Sequence, residues 1–147
     1  MTESRIIACP RCGSLNRAAL DRLAAGQTPS CGRCHAPLFD GHPVELKDAA
    51  AFDRLVGKTE IPVLVDFWAA WCGPCRAMAP EFEAAAVEVQ PLARLAKLDT
   101  EAAPDIAARF AIRSIPTMIL FANGRELRRQ SGAMRRQEIV GLVKSAL

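Results

Sequence analysis

Residues 61–75, IPVLVDFWAAWCGPC, decide the fold of this chain of 147 residues. Residues 61–70 are apolar apart from one acid, which predicts a strand that is buried on both faces. Trp71-Cys72-Gly73-Pro74-Cys75 then opens a segment that predicts a helix, so that the two cysteines lie one helical turn apart. Unpaired amides and the dipole at a helix N-terminus favour a thiolate. The stretch therefore predicts a redox dithiol, with Cys72 as the attacking nucleophile and Cys75 as the resolving thiol.

Two other interpretations of this cysteine pair are weaker. A zinc site would need two more ligands, and the remaining four cysteines already form a complete set of their own. A structural disulfide that spans only two residues would stabilise the fold very little, because the stabilisation from a disulfide grows with the length of the loop that it closes. A C-x-x-C motif beside a strand–helix pattern is typical of redox proteins.

Length, charge and termini restrict the class of protein. The chain is long enough for one domain of about 100 residues with a small appendage. A net charge of +3 without a basic stripe argues against nucleic-acid binding. The N-terminus lacks the apolar core of a secretory signal, and no apolar run reaches the length of a membrane span. We therefore expect the protein in the cytoplasm, a reducing compartment in which cysteines serve as metal ligands or catalysts.

The composition divides the chain into a module at 1–43 and a domain at 44–147. The first part is rich in Cys, Gly, Pro and Arg, and Asp40-Gly41-His42-Pro43 predicts a turn that closes it. A segment this small cannot bury enough apolar surface to fold without a covalent or metal crosslink.

Four cysteines supply that crosslink in the spacing C-x2-C-x18-C-x2-C. This spacing is typical of structural four-thiolate zinc sites, with one Zn²⁺ per chain. A pair of extra redox dithiols and an iron or iron–sulfur site remain open alternatives, and His35 could replace one ligand. The predicted zinc ligands are Cys9, Cys12, Cys31 and Cys34.

From Val44 onward the pattern alternates between strands and helices, which predicts an α/β fold with a mixed central sheet and helices on both faces. Asp48 is the predicted N-cap of a helix that Gly57 ends. Asn123-Gly124 predicts a hairpin turn. The predicted order is strand 44–46, helix 48–55, strand 63–69, helix 73–89, strand 92–99, helix 104–110, strands 117–121 and 126–130, and a last helix with Ile139, Leu142, Val143 and Leu147 on one face.

Separated motifs in the second part carry a family resemblance. They are Val65-Asp66-Phe67-Trp68-Ala69, Trp71-Cys72-Gly73-Pro74-Cys75, Lys97-Leu98-Asp99, Ile115-Pro116-Thr117, Phe121-Ala122-Asn123-Gly124 and Gly132-Ala133. With them the chain resembles the thioredoxins over residues 44–147, which implies the thioredoxin fold. The four-cysteine segment resembles the zinc ribbon-like module of the zinc-containing bacterial thioredoxins.

The resemblance implies a role for each matching residue. Cys72 would form a mixed disulfide with a substrate, and Cys75 would then release the reduced substrate. Asp66 would accept the proton of Cys75; a lone acid in a buried strand agrees with this, because burial raises its pKa toward the working pH. A core acid with no catalytic part is the alternative. Lys97 would lie nearby and moderate the charge of Asp66.

The resemblance also implies a flat docking surface for an extended substrate. Pro116 would be a cis-proline that faces the dithiol, keeps metal away from it and helps Ile115 to present backbone groups. For Trp71 and Ile115, ordinary core packing is the alternative. The implied substrate-binding residues are Trp71, Gly73, Pro74, Ile115, Pro116, Gly132 and Ala133.

One departure from the family pattern lies before the last helix. Met134-Arg135-Arg136 stands where a capping Ser, Thr or Asp is usual, so we expect the cap to be lost. The C-terminal quarter is rich in Arg, which is either a solvated face or a patch that selects acidic partners.

The resulting hypothesis is a protein-disulfide reductase of the cytoplasm that serves electron transport and redox homeostasis. An NADPH-dependent flavoprotein, thioredoxin reductase, would restore its dithiol. An oxidant or isomerase of the same fold and a zinc-ribbon adaptor are the competing functions. The zinc module is either structural or an oxidation-sensitive regulator.

Overall fold

The computed structural model describes residues 3–147, which form two β-sheets and five helices. The elements in chain order are β1 Ser4–Ala8, β2 Leu15–Ala19, α1 Leu20–Ala24, β3 Val44–Glu45, α2 Ala49–Lys58, β4 Val63–Trp68, α3 Gly73–Val89, β5 Arg94–Asp99, α4 Pro104–Arg109, β6 Thr117–Ala122, β7 Arg125–Ser131 and α5 Arg136–Lys144.

The larger sheet has the strand order β3-β5-β4-β6-β7. Strands β3, β5 and β4 run parallel to one another, whereas β6 and β7 pair antiparallel. Strand β4 is buried along nearly its whole length, as the apolar run predicts. The mixed sheet and the element order confirm the predicted α/β fold.

Alternate residues of the sheet enter two apolar cores. Val65 and Phe67 face one way and pack with Phe52 of α2 and Ile106 of α4. On the opposite face, Leu64, Leu95, Met118 and Leu120 pack with buried residues of α3 and α5. Since Asp66 alternates with Val65 and Phe67, its side chain lies on the face that α3 covers.

The β6–β7 hairpin turns at Asn123-Gly124, as expected. Both residues have positive φ, 51° for Asn123 and 78° for Gly124. A two-residue turn with positive φ at both positions matches the twist of the flanking strands.

The N-terminal module contains structure that the composition did not predict. Strands β1 and β2 form an antiparallel hairpin in register from Ser4↔Ala19 to Ala8↔Leu15. A third apolar core buries Ile7, Leu23 and Leu38 of the module with Cys9 and Cys31, and it also includes Ile61 from the segment before β4.

Hydrogen bonds between strand β1 and residues 59–60 join the module to the rest of the chain. Ile6 N donates to Glu60 Oε1 at 2.7 Å, and Glu60 N donates to Ile6 O at 2.7 Å. Ala8 N donates to the buried hydroxyl of Thr59 at 3.2 Å.

A buried arginine makes the second connection. Arg94 begins β5 and is 1% exposed. Its Nη2 donates to Leu38 O at 2.5 Å, and its guanidinium lies 4.1 Å from the ring centroid of Phe39. Burial lowers the pKa of Arg94 to about 10, while Asp40 and Cys9 favour its charge.

The structure corrects two expected details. Asp48 caps α2, accepting from Ala51 N at 2.8 Å, but Gly57 lies inside the helix, which ends at Lys58. Leu147 lies beyond α5 and is 58% exposed, whereas Ile139 and Val143 are buried as predicted.

Within residues 3–147, no helix combines the length and apolarity that a membrane crossing requires.

Candidate functional site

The dithiol lies at the junction of β4 and α3. Cys72 is the N-cap residue of α3, and Cys75 lies in its first turn. The two cysteines form a disulfide with their Cα atoms 5.2 Å apart. Cys75 N donates to Cys72 Sγ at 3.2 Å, so a backbone amide already points at the predicted nucleophile. Cys72 is 4% exposed, which leaves a narrow approach to its sulfur.

The loop before β6 closes over the dithiol from the other side. Cys72 Sγ lies 3.7 Å from Ile115 O. The Ile115–Pro116 peptide bond is cis, as the resemblance implies. Pro116 O accepts a hydrogen bond from Gly132 N at 2.8 Å. Gly132 has φ +95°, a conformation that glycine adopts without strain.

An exposed surface surrounds the disulfide. Trp71 is 66% exposed, which excludes core packing for its ring, and Ile115 is partly exposed. Trp71 Nε1 donates to Glu101 Oε1 at 2.8 Å. Glu101 is a contact that the sequence did not indicate, because it lies 30 positions away in another loop. Gly73, Pro74, Gly132 and Ala133 are also exposed, whereas Pro116 is buried.

The buried acid lies under the helix that carries the dithiol. Asp66 is 1% exposed, and its Oδ1 has no hydrogen-bond partner among the described residues. Burial raises the pKa of Asp66 from 3.8 to about 7; Lys97 opposes the shift and Glu45 adds to it. A carboxyl that titrates near neutrality can both hold and accept a proton at working pH.

Lys97 is the neighbour of Asp66 on β5, in direct register with it. Its Nζ lies 4.4 Å from the ring centroid of Trp68. The indole nitrogen of Trp68 is buried and has no partner among residues 3–147. The structure thus brings together the lysine and the acid that the motifs selected.

The second sulfur cluster lies in the N-terminal module. Cys9, Cys12, Cys31 and Cys34 have ligand atoms that all lie within 4.8 Å of one another. The Cys9–Cys34 and Cys12–Cys31 sulfur pairs are 3.7 Å and 3.6 Å apart. His35 is not part of the cluster.

The two cysteine loops have the same backbone form. Gly13 N donates to Cys9 O and His35 N donates to Cys31 O, each at 2.9 Å. Gly13 and His35 both have positive φ. Amides of Arg11 and Arg33 donate to the sulfurs of Cys9 and Cys31, each at 3.4 Å.

This donor set fits a zinc ion. Tetrahedral zinc with bonds of about 2.3 Å places its sulfur ligands about 3.8 Å apart. Amides of Cys34 and Arg33 lower the pKa of Cys31 to about 5. The Ser14 amide acts the same way on Cys12, but desolvation and the three other sulfurs raise its pKa to about 11. Four thiolates this close repel one another, so the thiols resist full ionisation. A divalent cation bound between them would offset this repulsion.

The start of α5 agrees with the expected loss of a side-chain cap. Arg135 is the N-cap and its cationic side chain has no acceptor for a backbone amide, but Glu138 Oε1 accepts from Arg135 N at 3.2 Å. Arg129 and Arg136 pair with Glu126 and Glu88. Among the described residues, Arg125, Arg128 and Arg135 are exposed and form no ion pair.

A mixed sheet that presents a C-x-x-C disulfide at a helix N-terminus defines a protein-disulfide oxidoreductase. The thioredoxin family profile matches residues 43–145, and the profile described as thioredoxin 2, N-terminal, a zinc ribbon, matches residues 8–36. The chain belongs to the thioredoxin family.

Individual thioredoxins are similar to this chain over most of its length or over a large part of it. The chain is 43% identical over 134 residues to thioredoxin C-3 of Corynebacterium nephridii, covering 91% of this chain and 90% of that one. It is 45% identical over 93 residues to the bifunctional thioredoxin reductase/thioredoxin of Mycobacterium leprae, covering 63% of this chain and 20% of that protein. The solved structure of a mutant thioredoxin from Halobacterium salinarum superposes with a TM-score of 0.67 at 29% identity, covering 74% of this chain and 93% of that one.

Proposed function

We propose that this chain reduces protein disulfides through Cys72 and Cys75 and is itself restored by an NADPH-dependent thioredoxin reductase. The observation that carries the proposal is the Cys72–Cys75 disulfide at the N-terminus of α3, with the Cys75 amide 3.2 Å from Cys72 Sγ. A sulfur held by that amide is stabilised as a thiolate once the disulfide is reduced.

Reduction proceeds in two exchanges that conserve sulfur and electrons. The Cys72 thiolate attacks a substrate disulfide, which forms a mixed disulfide and releases one substrate sulfur as a thiolate that takes up a proton from water. The Cys75 thiol gives its proton to the Asp66 carboxylate, attacks Cys72 Sγ and releases the second substrate thiol. Two electrons pass from the dithiol to the substrate, and Cys72–Cys75 is left oxidised. Lys97 moderates the charge of Asp66 in this scheme.

The surface around Cys72 is the proposed docking site for an extended, apolar substrate segment. Exposure of Trp71 and of the Gly132-Ala133 loop supports this assignment, as does the proximity of Ile115 O to Cys72 Sγ. Cis-Pro116 closes the space beside the sulfurs. The proposed docking residues are Trp71, Gly73, Pro74, Ile115, Pro116, Gly132 and Ala133.

The proposed role of the N-terminal module is to bind one Zn²⁺ through Cys9, Cys12, Cys31 and Cys34. Four protein ligands leave no open coordination position, so zinc here would supply folding energy. We propose residues 1–43 as this module and residues 44–147 as the redox domain. Whether zinc also regulates activity is decided by measuring reductase activity against zinc content.

The proposed setting is the cytoplasm, with the chain as a monomer that takes part in electron transport and redox homeostasis. The Mycobacterium leprae relative joins thioredoxin reductase and thioredoxin in its name, which supports a reductase of this kind as the partner.

Two cysteine variants test the mechanism. With insulin as the disulfide substrate and dithiothreitol as the reductant, Cys72→Ser should reduce the rate to that of dithiothreitol alone. Cys75→Ser, reduced beforehand and freed of dithiothreitol, should accumulate a mixed disulfide with insulin through Cys72, visible by mass spectrometry. Substantial activity in Cys72→Ser would overturn the proposal.

A further inference from the structure

Three charged residues lie in one row across the parallel part of the large sheet. Glu45 of β3 is in register with Lys97 of β5, and Lys97 is in register with Asp66 of β4. Residues in register on neighbouring strands point to the same face. Lys97 is therefore a single cation between two carboxyl groups, on the face that α3 covers.

Lys97 forms a direct ion pair with neither acid. Among the described residues, its Nζ makes no ion pair within 4.0 Å with Asp66 or Glu45, and it lies over the ring of Trp68. Strands lie about 4.8 Å apart, so Glu45 is about 10 Å from Asp66 across the row. At that separation the two acids interact directly as well as through the cation.

Other charged and titratable groups also lie near the row. On the β6 side, Asp66 is in register with Met118, which carries no charge. The cysteines of α3 are joined as a disulfide in the oxidised state and do not titrate. The other charged groups near Glu45 lie outside the row: Asp99, Glu83 with its ion-pair partner His42, and Arg11 and Arg94, which line the same surface pocket. Lys97 and Glu45 are the charged groups that act on Asp66.

We infer that Glu45 is a positioning residue for the redox reaction. Its carboxylate competes with that of Asp66 for the charge of the Lys97 ammonium group, and it thereby sets the pH range in which Asp66 can accept the Cys75 proton. The inference rests on the proposed role of Asp66. No motif of the sequence contains Glu45, because its significance depends on the pairing of β3 with β5.

The charge balance has a definite direction. Lys97 lowers the pKa of Asp66 and Glu45 raises it. Partial burial raises the pKa of Glu45 itself, which Lys97 opposes. Removing the Glu45 charge should therefore leave Lys97 to act on Asp66 alone, and Asp66 should lose its proton at lower pH.

Carbon-13 NMR of the aspartate carboxyl groups, in the full oxidised chain loaded with zinc, measures this directly. The Asp66 signal is assigned with Asp66→Asn. At about 10 Å and an effective dielectric constant of roughly 20 to 80, loss of the direct repulsion in Glu45→Gln should by itself lower the titration midpoint of Asp66 by about 0.3 to 1.2 units. Glu45→Asp keeps the charge and should restore most of the native midpoint.

Two further variants isolate the cause. Glu3→Gln removes one exposed charge that pairs with Arg5 and is not part of the row, and it should leave the midpoint unchanged. In a Lys97→Met background, Glu45→Gln should still lower the midpoint, because the direct repulsion between the two acids remains, but by less than in the native chain, because the shared cation is gone. An unmoved midpoint in Glu45→Gln, or an equal shift in both backgrounds, overturns the inference.

Kinetics separate this inference from the proposed function. If Asp66 is the proton acceptor, the pH profile of kcat/KM for insulin reduction should move in Glu45→Gln by the same amount as the NMR midpoint. A moved midpoint with an unmoved profile would refute the role of Asp66, and with it the catalytic part of the inference. A fixed midpoint alongside a profile that Asp66→Asn alters would refute Glu45 alone.

Discussion

The dithiol of α3 and the four-cysteine cluster of the N-terminal module both hold a sulfur against backbone amides. Cys72 Sγ accepts from Cys75 N at 3.2 Å, and Cys31 Sγ accepts from Arg33 N at 3.4 Å. An amide that stabilises a thiolate is therefore common to the redox dithiol and to the proposed metal site. What differs is the number of sulfurs within reach and the charge of the buried groups nearby.

Each sulfur cluster has a buried ionisable residue on the large sheet close to it. Asp66 on β4 lies under the dithiol helix, and Arg94 on β5 reaches into the module. A buried acid can take up the proton that a thiol must lose. A buried cation instead offsets the negative charge of a cluster of thiolates around zinc. The sheet thus supplies opposite charges to the two sites.

The largest expected difference between the clusters is in zinc content. Cys31→Ser should lower bound zinc from one ion to less than about a tenth per chain, since structural zinc sites contribute roughly 10–16 kcal/mol. Cys75→Ser should leave zinc content unchanged and abolish turnover. Atomic absorption on both purified variants, together with insulin reduction, measures the two effects.

The same two variants also test whether the two cysteine clusters are independent of each other. The sheet, α3 and their two cores contain none of the four cysteines, so Cys31→Ser should retain insulin reduction within about threefold. If activity disappears together with zinc, the two clusters are coupled and the module is more than a structural appendage.

The second effect concerns the buried acid. Asp66 binds its proton more tightly in the folded chain, with a pKa of about 7, than in the unfolded chain, with a pKa of 3.8. The folded state therefore holds more protons between these values, and stability falls as pH rises from about 4 to about 7. The full loss is about 4 kcal/mol at 1.36 kcal/mol per unit.

Asp66→Asn should remove this loss of stability at high pH. At pH 8 the oxidised variant should unfold with a free energy up to about 4 kcal/mol higher than the native chain, with little difference near pH 4. Urea unfolding at both pH values measures the change. Asp105→Asn, an exposed acid in α4, serves as the control and should stay within about 0.5 kcal/mol. Equal stabilisation at both pH values would contradict the assignment to ionisation.

The third effect concerns the arginine that joins the module to the sheet. Arg94→Ala should lower the free energy of unfolding by about 2 to 4 kcal/mol, because it leaves a cavity and an unpaired Leu38 carbonyl. Arg94→Met should cost less than half as much, because the apolar stem is kept and the buried charge is removed. Urea unfolding compares the two variants. Equal costs would mean that the ion, and not the packing, carries the contribution.

Local chemistry explains which parts of the molecule the sequence predicts. The C-x-x-C spacings, the apolar run of β4 and the Asn123-Gly124 turn each depend on neighbouring residues, and the structure has all three elements. The sequence does not predict the β1–β2 hairpin, because β2, LNRAA, lacks β-branched residues and because the first cysteine loop supplies the turn.

Most of the features that the sequence does not predict depend on contacts between residues that are distant in sequence. Gly57 stays helical, and the chain becomes extended at Thr59, whose hydroxyl accepts from Ala8 N. Arg94 resembles an ordinary exposed arginine until Leu38 and Phe39 of the module cover it. Glu45 and Glu101 acquire their neighbours only when strands and loops come together.

The smallest effect tests the docking surface beside the dithiol. Glu101→Ala removes the acceptor of the Trp71 indole, so the exposed ring should sample more orientations before a substrate binds. Losing one hydrogen bond of about 1 kcal/mol should raise KM for insulin by about three- to fivefold, with kcat unchanged. Glu101→Gln keeps an acceptor oxygen and should recover most of the loss. If Glu101→Ala lowers kcat instead, the ring acts on the sulfur exchange itself, and the separation of docking from chemistry at this site is wrong.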